Sequence, residues 1–300
     1  MGSQRKTLFT ALAVTLFFIS LWAVFAASFN MFFPSAGIKE SLSLSSDNKV
    51  AVVRLRGIIL DGGEIKRQLD KWAGDDSVKA IVVHISSPGG VVGPSQEIFS
   101  AVKKAAAKKP VVASMGAVAA SGGYYVAAAC NKIVANPGTI TGSIGVIMMF
   151  STTFDLMDKI GLKAVVVKSG KFKDTGSPHR PFTDEDRALM QGVVDDTYDQ
   201  FITDVAQGRG LPVEEVRKVA DGRILTGRQA FKVKLVDKLG GFDDAMELAA
   251  RMGGITGKPK KVEDEKKKGL MEMLFGEEFE TSLPFRLKMP AGLYYMWPAW

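Results

Sequence analysis

The chain has 300 residues, 46% hydrophobic and 24% charged, enough to bury one sizeable core with a single main domain. Its formal charge of +7 comes from 39 basic and 32 acidic residues that are interspersed, with no basic stripe carrying interleaved aromatics, so nucleic acid is excluded as a partner. One cysteine, Cys130, excludes an intramolecular disulfide, and two histidines leave no cluster at metal-ligand spacing, so neither metal nor cofactor is expected.

Residues 8–33 carry no charge over 26 positions, more than the about 20 that a helix needs to cross a bilayer core. Arg5 and Lys6 precede this run, and by the positive-inside rule residues 1–7 stay cytoplasmic while the body is exported. A cleaved leader ending near Val24-Phe25-Ala26 is the rival reading, but the apolar core of a leader spans only about 7–15 residues. The expected organisation is an anchor over 8–33 held in membrane lipid, a linker over 34–49 and a main domain over 50–256. A charged linker with an aromatic tail follows over 257–300. The location that follows is the inner or plasma membrane, single-pass, with the main domain extracytoplasmic.

Within the main domain, residues 50–59 read as a first strand and 61–72 as a helix with Ile65 and Leu69 four apart. Residues 80–85 are a β-branched run suited to a strand buried on both faces. Ser86-Ser87-Pro88-Gly89-Gly90 then forms a glycine loop, 96–107 a helix, and 111–114 a short strand leading to Ser121. Further strands are expected over 132–135 and 145–149. Strand–helix alternation of this kind predicts an α/β domain with a parallel sheet and right-handed crossovers.

Beyond residue 173 the pattern turns helical. Thr183 caps a long helix reaching about residue 207, Pro212 opens a shorter one, and Thr226 with Gln229 fits a capping box. Residues 243–251 form a last amphipathic helix. Residues 257–269 read as a lysine-rich linker, 270–279 as a short amphipathic helix, and 294–300 as an aromatic tail seeking a membrane interface or a neighbouring subunit.

Chemistry concentrates at Ser121, set in Ala119-Ala120-Ser121-Gly122-Gly123-Tyr124-Tyr125 at the expected start of a helix. Small neighbours leave room for a carbonyl to approach its hydroxyl, but a serine needs a base to take its proton. His84 sits in an apolar strand pattern and reads as a packed residue, and His179 as a surface-loop residue, which disfavours a Ser-His-Asp triad. The scarcity of histidine favours a lysine base, and Lys173, in Lys171-Phe172-Lys173-Asp174, is a candidate with which Lys171 competes. A lysine amine is almost wholly protonated at neutral pH and becomes a base only when desolvated. Phe172 and the run Val165-Val166-Val167 are expected to supply that apolar cover, giving activity that rises towards alkaline pH. Cys130 reads as buried packing.

Four motifs in this order resemble the signal peptide peptidase A family of Ser-Lys serine proteases, within the wider Clp protease/crotonase fold. They are Ser86 to Gly90, Ser114-Met115-Gly116 running into Ala120 to Tyr125, Thr141-Gly142-Ser143-Ile144-Gly145-Val146, and Lys168-Ser169-Gly170 with Lys173-Asp174. The resemblance implies Ser121 as nucleophile and Lys173 as general base, with Ser143 orienting the lysine. Gly90 and Gly122 would lend N–H groups to an oxyanion hole. It also implies a peptidase domain acting on signal peptides and similar peptides, assembled as a homo-oligomer. The chain departs from the family at Ser86, where asparagine is usual, at His84, where arginine is usual, and at Lys234, where glycine is usual. A crotonase-like acyl-CoA enzyme and a catalytically silent membrane scaffold are the alternatives on the same fold.

Overall fold

Apolar residues that alternate in direction along neighbouring strands set the centre of the fold. In the computed structural model, which describes Ser20, Trp22, residues 48–264 and residues 294–296, β1 (Lys49–Arg56) and β2 (Val78–Ser87) pair in parallel with Val52 opposite Val82 and Val53 opposite Val83. Val50, Val52, Ala80 and Val82 point to one face and Ala51, Val53, Ile81 and Val83 to the other, and all eight are essentially inaccessible to solvent. A strand with both faces buried needs cover on both sides. The first face packs on α8 (Phe242–Met252) through Ala245, Met246, Ala249 and Ala250. The second packs on α1 (Gly63–Gly74), α2 (Val92–Ala106), α3 (Gly122–Ala128) and α5 (Asp184–Arg209).

Among the described residues the main sheet has eight strands and is parallel throughout except at one edge. β4 (Val111–Ala120) lies beside β2; its first half pairs with β5 (Lys132–Ala135) and its second half with β6 (Ile140–Gly142). β8 (Lys238–Leu239) continues from β5, and β7 (Ile224–Thr226) closes the β6 edge in antiparallel sense. This mostly parallel α/β architecture fits the Clp protease/crotonase-like fold. The strand expected over 111–114 runs on to Ala120 because Val118 to Ala120 find a partner in β6. Small residues of weak strand propensity conceal that extension.

Other expectations are corrected. Residues 145–149 form no strand; only Ile147 makes a single bridge, to Tyr294. The lysine-rich stretch after 257 is not wholly linker, because β9 (Lys260–Glu263) adds to the free edge of β1 in parallel, where Arg54 grips Glu263 with bonds of 2.7 and 3.1 Å. In the tail, β10 (Tyr294–Met296) pairs with β3 (Gly89–Val91) in a separate two-stranded sheet. The anchor over 8–33, most of the linker over 34–49 and the helix over 270–279 lie outside the described residues, save Ser20 and Trp22. Among the described residues no helix is long and apolar enough to cross a membrane.

The departure at Lys234 has a backbone cause. α7 (Gly227–Lys232) ends in a Schellman arrangement, with the Lys234 N–H on the Phe231 carbonyl at 3.1 Å and the Leu235 N–H on the Ala230 carbonyl at 2.9 Å. That motif puts Lys234 at φ 62°, where glycine is the favoured residue. Lys234→Gly is expected to stabilise the protein by about 1 kcal/mol, since a side chain in left-handed backbone costs about that much. Thermal unfolding checks this, with a rise of about 2–4 °C expected for a domain of this size.

Candidate active site

β4 ends at Ala120 and α3 begins at Gly122, so Ser121 alone makes the turn between them. Its N–H donates to the Gly142 carbonyl at 2.8 Å, and its own carbonyl accepts from the Tyr125 N–H at 2.8 Å. These bonds hold it at φ 52°, ψ −117°, a conformation open to glycine and costly for serine by about 1–3 kcal/mol. The next residues brace the turn from below. The Tyr124 hydroxyl donates to the Leu235 carbonyl at 3.0 Å, and that of Tyr125 donates to Asp204. The Ser121 hydroxyl makes no hydrogen bond to a described residue, although the residue is only 1% exposed. A strained, braced turn that presents an unbonded hydroxyl is the arrangement a serine nucleophile requires.

The other site residues gather around it. Ala120 of β4 is in register with Gly142 of β6, so Ser121 and Ser143 are the next residues at the ends of adjacent parallel strands. Ser143 is also in left-handed backbone, at φ 49°, with its N–H on the Arg223 carbonyl at 2.8 Å. Among the described residues only three that are not glycine have positive φ, and two are these serines. On the other side, the Ser87 hydroxyl accepts the Gly89 N–H at 3.1 Å and shapes the loop that carries Gly89 and Gly90. A Cβ on Gly89 would lie 2.7 Å from the Gly122 nitrogen, so the loop rests directly on the residue after Ser121. Gly122 is the first residue of α3, where an N–H has no intrahelical acceptor. Ser121, Ser143, Gly90 and Gly122 therefore share one place in the fold.

Lys173 does not join them within one chain. Its side chain makes no hydrogen bond or ion pair with a described residue, and it stands in a run over 158–173 that is exposed throughout. The apolar cover expected for it is absent: Val165 is 90% and Val167 97% exposed, and Phe172 also faces solvent. α4 (Phe154–Lys159) buries none of its residues. Ten of the large hydrophobic side chains exposed to solvent fall between 149 and 172, a concentration of apolar surface greater than scattered exposed side chains give.

This arm is nevertheless tied down at its base. Asp186 is buried at the start of α5 and accepts from the Arg180 guanidinium, from Thr175 Oγ1 at 2.7 Å and from the Thr183 N–H at 3.1 Å. Arg180, with the Thr175 and Thr183 bonds, holds the Asp186 carboxyl far below the usual carboxylate range. Asp174, next to Lys173, is held low first by Lys168, at 2.7 Å, and then by Arg180, at 3.1 Å. Arg180 thus joins the lysine arm to α5. Arg180→Ala is expected to lower activity at least about tenfold by loosening this arm and leaving Asp186 without its cation, with Ser121 untouched. Steady-state kinetics beside a thermal melt would check it; unchanged activity would show that the arm needs no fixed base.

The remaining titratable candidates are structural. His84 is half-buried, lies 3.2 Å by Nδ1 from Ser114 Oγ and packs edge-on against Phe242. Burial first, then Arg54 and Arg56, push its pKa down, which favours the uncharged ring. His179 is exposed beside Met157, as expected of a surface loop. Burial pushes the Cys130 thiol up, in keeping with packing. No group of three or more acidic, cysteine or histidine side chains among the described residues could hold a metal ion.

Known proteins share this arrangement of sequence. A family model described as peptidase family S49 matches residues 103–255, the stretch holding Ser121, Ser143 and Lys173, and a Clp protease model matches residues 63–139. A putative protease of Synechocystis is 43% identical over 221 residues, 73% of this chain and 79% of the relative. One of Methanocaldococcus jannaschii is 37% identical over 209 residues, 69% of this chain and 67% of the relative. A putative signal peptide peptidase of Enterococcus faecium is 36% identical over 228 residues, 71% of this chain and 66% of the relative.

Proposed function

Because the chain belongs to peptidase family S49 and is a serine peptidase, we propose that it is a membrane-anchored endopeptidase that degrades cleaved signal peptides and similar peptides through Ser121 and Lys173. The observation that carries the assignment is the strained, unbonded Ser121 beside Ser143 and against the glycine loop. Ser121 Oγ attacks the peptide carbonyl while the neutral Lys173 amine takes its proton. The N–H groups of Gly90 and Gly122 hold the negative charge that forms on the carbonyl oxygen. The C–N bond then breaks, the departing amine takes the proton from the lysine, and water attacks the acyl-enzyme by the same route. Ser143 accepts a hydrogen bond from the amine and aims it. The name of the Enterococcus relative supports the substrate class.

Lys173 reaches a serine in this reading when copies of the chain associate. The exposed apolar run over 149–172 packs on a neighbour, which desolvates the amine and carries it to Ser121 of that neighbour. A head-to-tail contact of this kind closes into a ring when its rotation divides a full turn. The uncharged run over 8–33 supports a single membrane anchor with the peptidase outside the cytoplasm. A ring would keep folded exported proteins away from the serines by size. Labelling with a serine-directed fluorophosphonate probe tests the assignment. Wild type is expected to label, Ser121→Ala not at all and Lys173→Ala far more slowly; labelling indifferent to both changes would refute the dyad.

A further inference from the structure

Lys173 stands in a turn that its neighbours hold from both sides. The Lys173 N–H donates to the Gly170 carbonyl at 3.2 Å, the Thr175 N–H to the Phe172 carbonyl at 3.2 Å and the Ser177 N–H to the Asp174 carbonyl at 3.0 Å. The Lys168 ammonium reaches across this turn. It donates to the Lys171 carbonyl at 2.9 Å and to Asp174 Oδ1 at 2.7 Å, one partner on each side of Lys173 in sequence. An ammonium has donors enough for such a double grip. At the far end Gly176, at φ 80°, lies against Phe150, where a Cβ would stand 2.3 Å from a ring carbon. The turn is therefore a shaped element on an otherwise exposed arm.

Its charges are balanced as well. Lys168 pairs with Asp174, Lys171 with Glu185 and Arg180 with Asp186, and Arg180 also reaches Asp174 at 3.1 Å. Nearby, His179 is turned to Met157 Sδ and Arg187 to the Phe182 ring, while Asp184 is exposed at the start of α5. Asp174 follows Lys173 directly, and an uncompensated carboxylate there would favour the charged ammonium over the neutral amine that a base must be. Lys168 and Arg180, both on Asp174 Oδ1, offset that charge. We propose that Lys168 is a positioning residue for the general base: it fixes the turn that displays Lys173 and neutralises Asp174, so that the amine gives up its proton more readily. This rests on the peptidase reading with Lys173 as the base. The carboxyl of Asp174, held low first by Lys168, agrees with that pairing.

The test uses the full chain. Lys168→Met keeps the length of the side chain and removes its charge, Asp174→Asn removes the carboxylate, and Lys171→Met is a control with the same change of net charge as the first. The acid limb of kcat/KM against pH, which reports the base of the free enzyme, is measured for each with a fluorogenic peptide at physiological ionic strength. Lys168→Met leaves Asp174 undercompensated, so its limb is expected to move to higher pH by about 0.5–1 pH unit. Asp174→Asn leaves Lys168 unpaired, so its limb is expected to move the opposite way, to lower pH. Plateau turnover is expected to fall about three- to tenfold in both, because both lose the grip on the turn. Lys168→Arg should recover the limb and most of the turnover. Lys171→Met should move the limb least, since its pair with Glu185 is exposed and screened. Limbs that coincide with wild type, shifts of one sign in both variants, or a loss in Lys168→Met that Lys168→Arg does not recover would overturn the proposal. Should Lys168→Met fail to fold, the limbs of Asp174→Asn and Lys168→Arg decide by the same signs. Lys173→Ala separates this inference from the reading beneath it. An inactive Lys173→Ala with unmoved limbs would remove only the role of Lys168; wild-type turnover in Lys173→Ala would remove both.

Discussion

Ser121→Ala will lose peptide hydrolysis by about 10⁴-fold or more while the protein stays folded, since removing the nucleophile of such a site leaves only binding and oxyanion stabilisation. The backbone lets the prediction be sharpened. Serine at φ 52°, ψ −117° carries strain that glycine would not, so Ser121→Gly should be equally inactive yet more stable than wild type by about 1–3 kcal/mol. Gain of stability with loss of function is what a residue kept for chemistry rather than folding should show. Hydrolysis of a fluorogenic peptide and thermal melts of the three proteins decide it. A glycine variant less stable than wild type would mean that the turn is not strained and that the inference from its backbone is wrong.

The second large effect belongs to Lys173. Lys173→Ala is expected to reduce turnover by roughly 10³-fold or more, at the upper end of what a general base contributes. The melting temperature of a single chain should hardly move, because the side chain makes no bond to a described residue and lies in an exposed run. Lys171→Ala is the internal control. Lys171 pairs with Glu185 at 2.7 Å on the surface, an exposed pair that contributes little, so its loss should leave turnover within about twofold of wild type. If Lys171→Ala proved the more damaging change, the base would have been misassigned.

Much of the fold and of the site is legible in the amino-acid sequence, and the limits have physical reasons. The strand over 80–85 is readable because a β-branched run buried on both faces has few other uses, and the glycine loop, Ser121 and Ser143 fall at strand ends where such sheets place sites. β9 escapes notice because a lysine-rich edge strand looks like solvated linker; its pairing to β1 is accompanied by an Arg54–Glu263 contact between residues 209 positions apart in sequence. The span over 145–149 has a strand's composition, but the neighbouring edge is met by Tyr294, a partner no local pattern reveals. Phe172 and Val165 to Val167 look like cover for a buried amine, and they are instead surface. Periodicity tells that a residue wants burial, not whether its own chain supplies it. The aromatic tail is recognisable as needing a partner surface; that the glycine loop of the same chain is that surface cannot be read from composition.

Mixing two inactive proteins tests the central claim, that Ser121 of one copy works with Lys173 of another. Ser121→Ala keeps its lysine and Lys173→Ala keeps its serine. They are co-expressed, or mixed after partial dissociation, in equal amounts. In a closed ring with random placement, each serine finds an intact lysine beside it about one time in two, which restores about a quarter of wild-type turnover per subunit. Turnover near that level, absent from either variant alone, is the predicted result. A mixture as inactive as its components, in assemblies shown to contain both chains, would place the dyad within one chain and contradict the account.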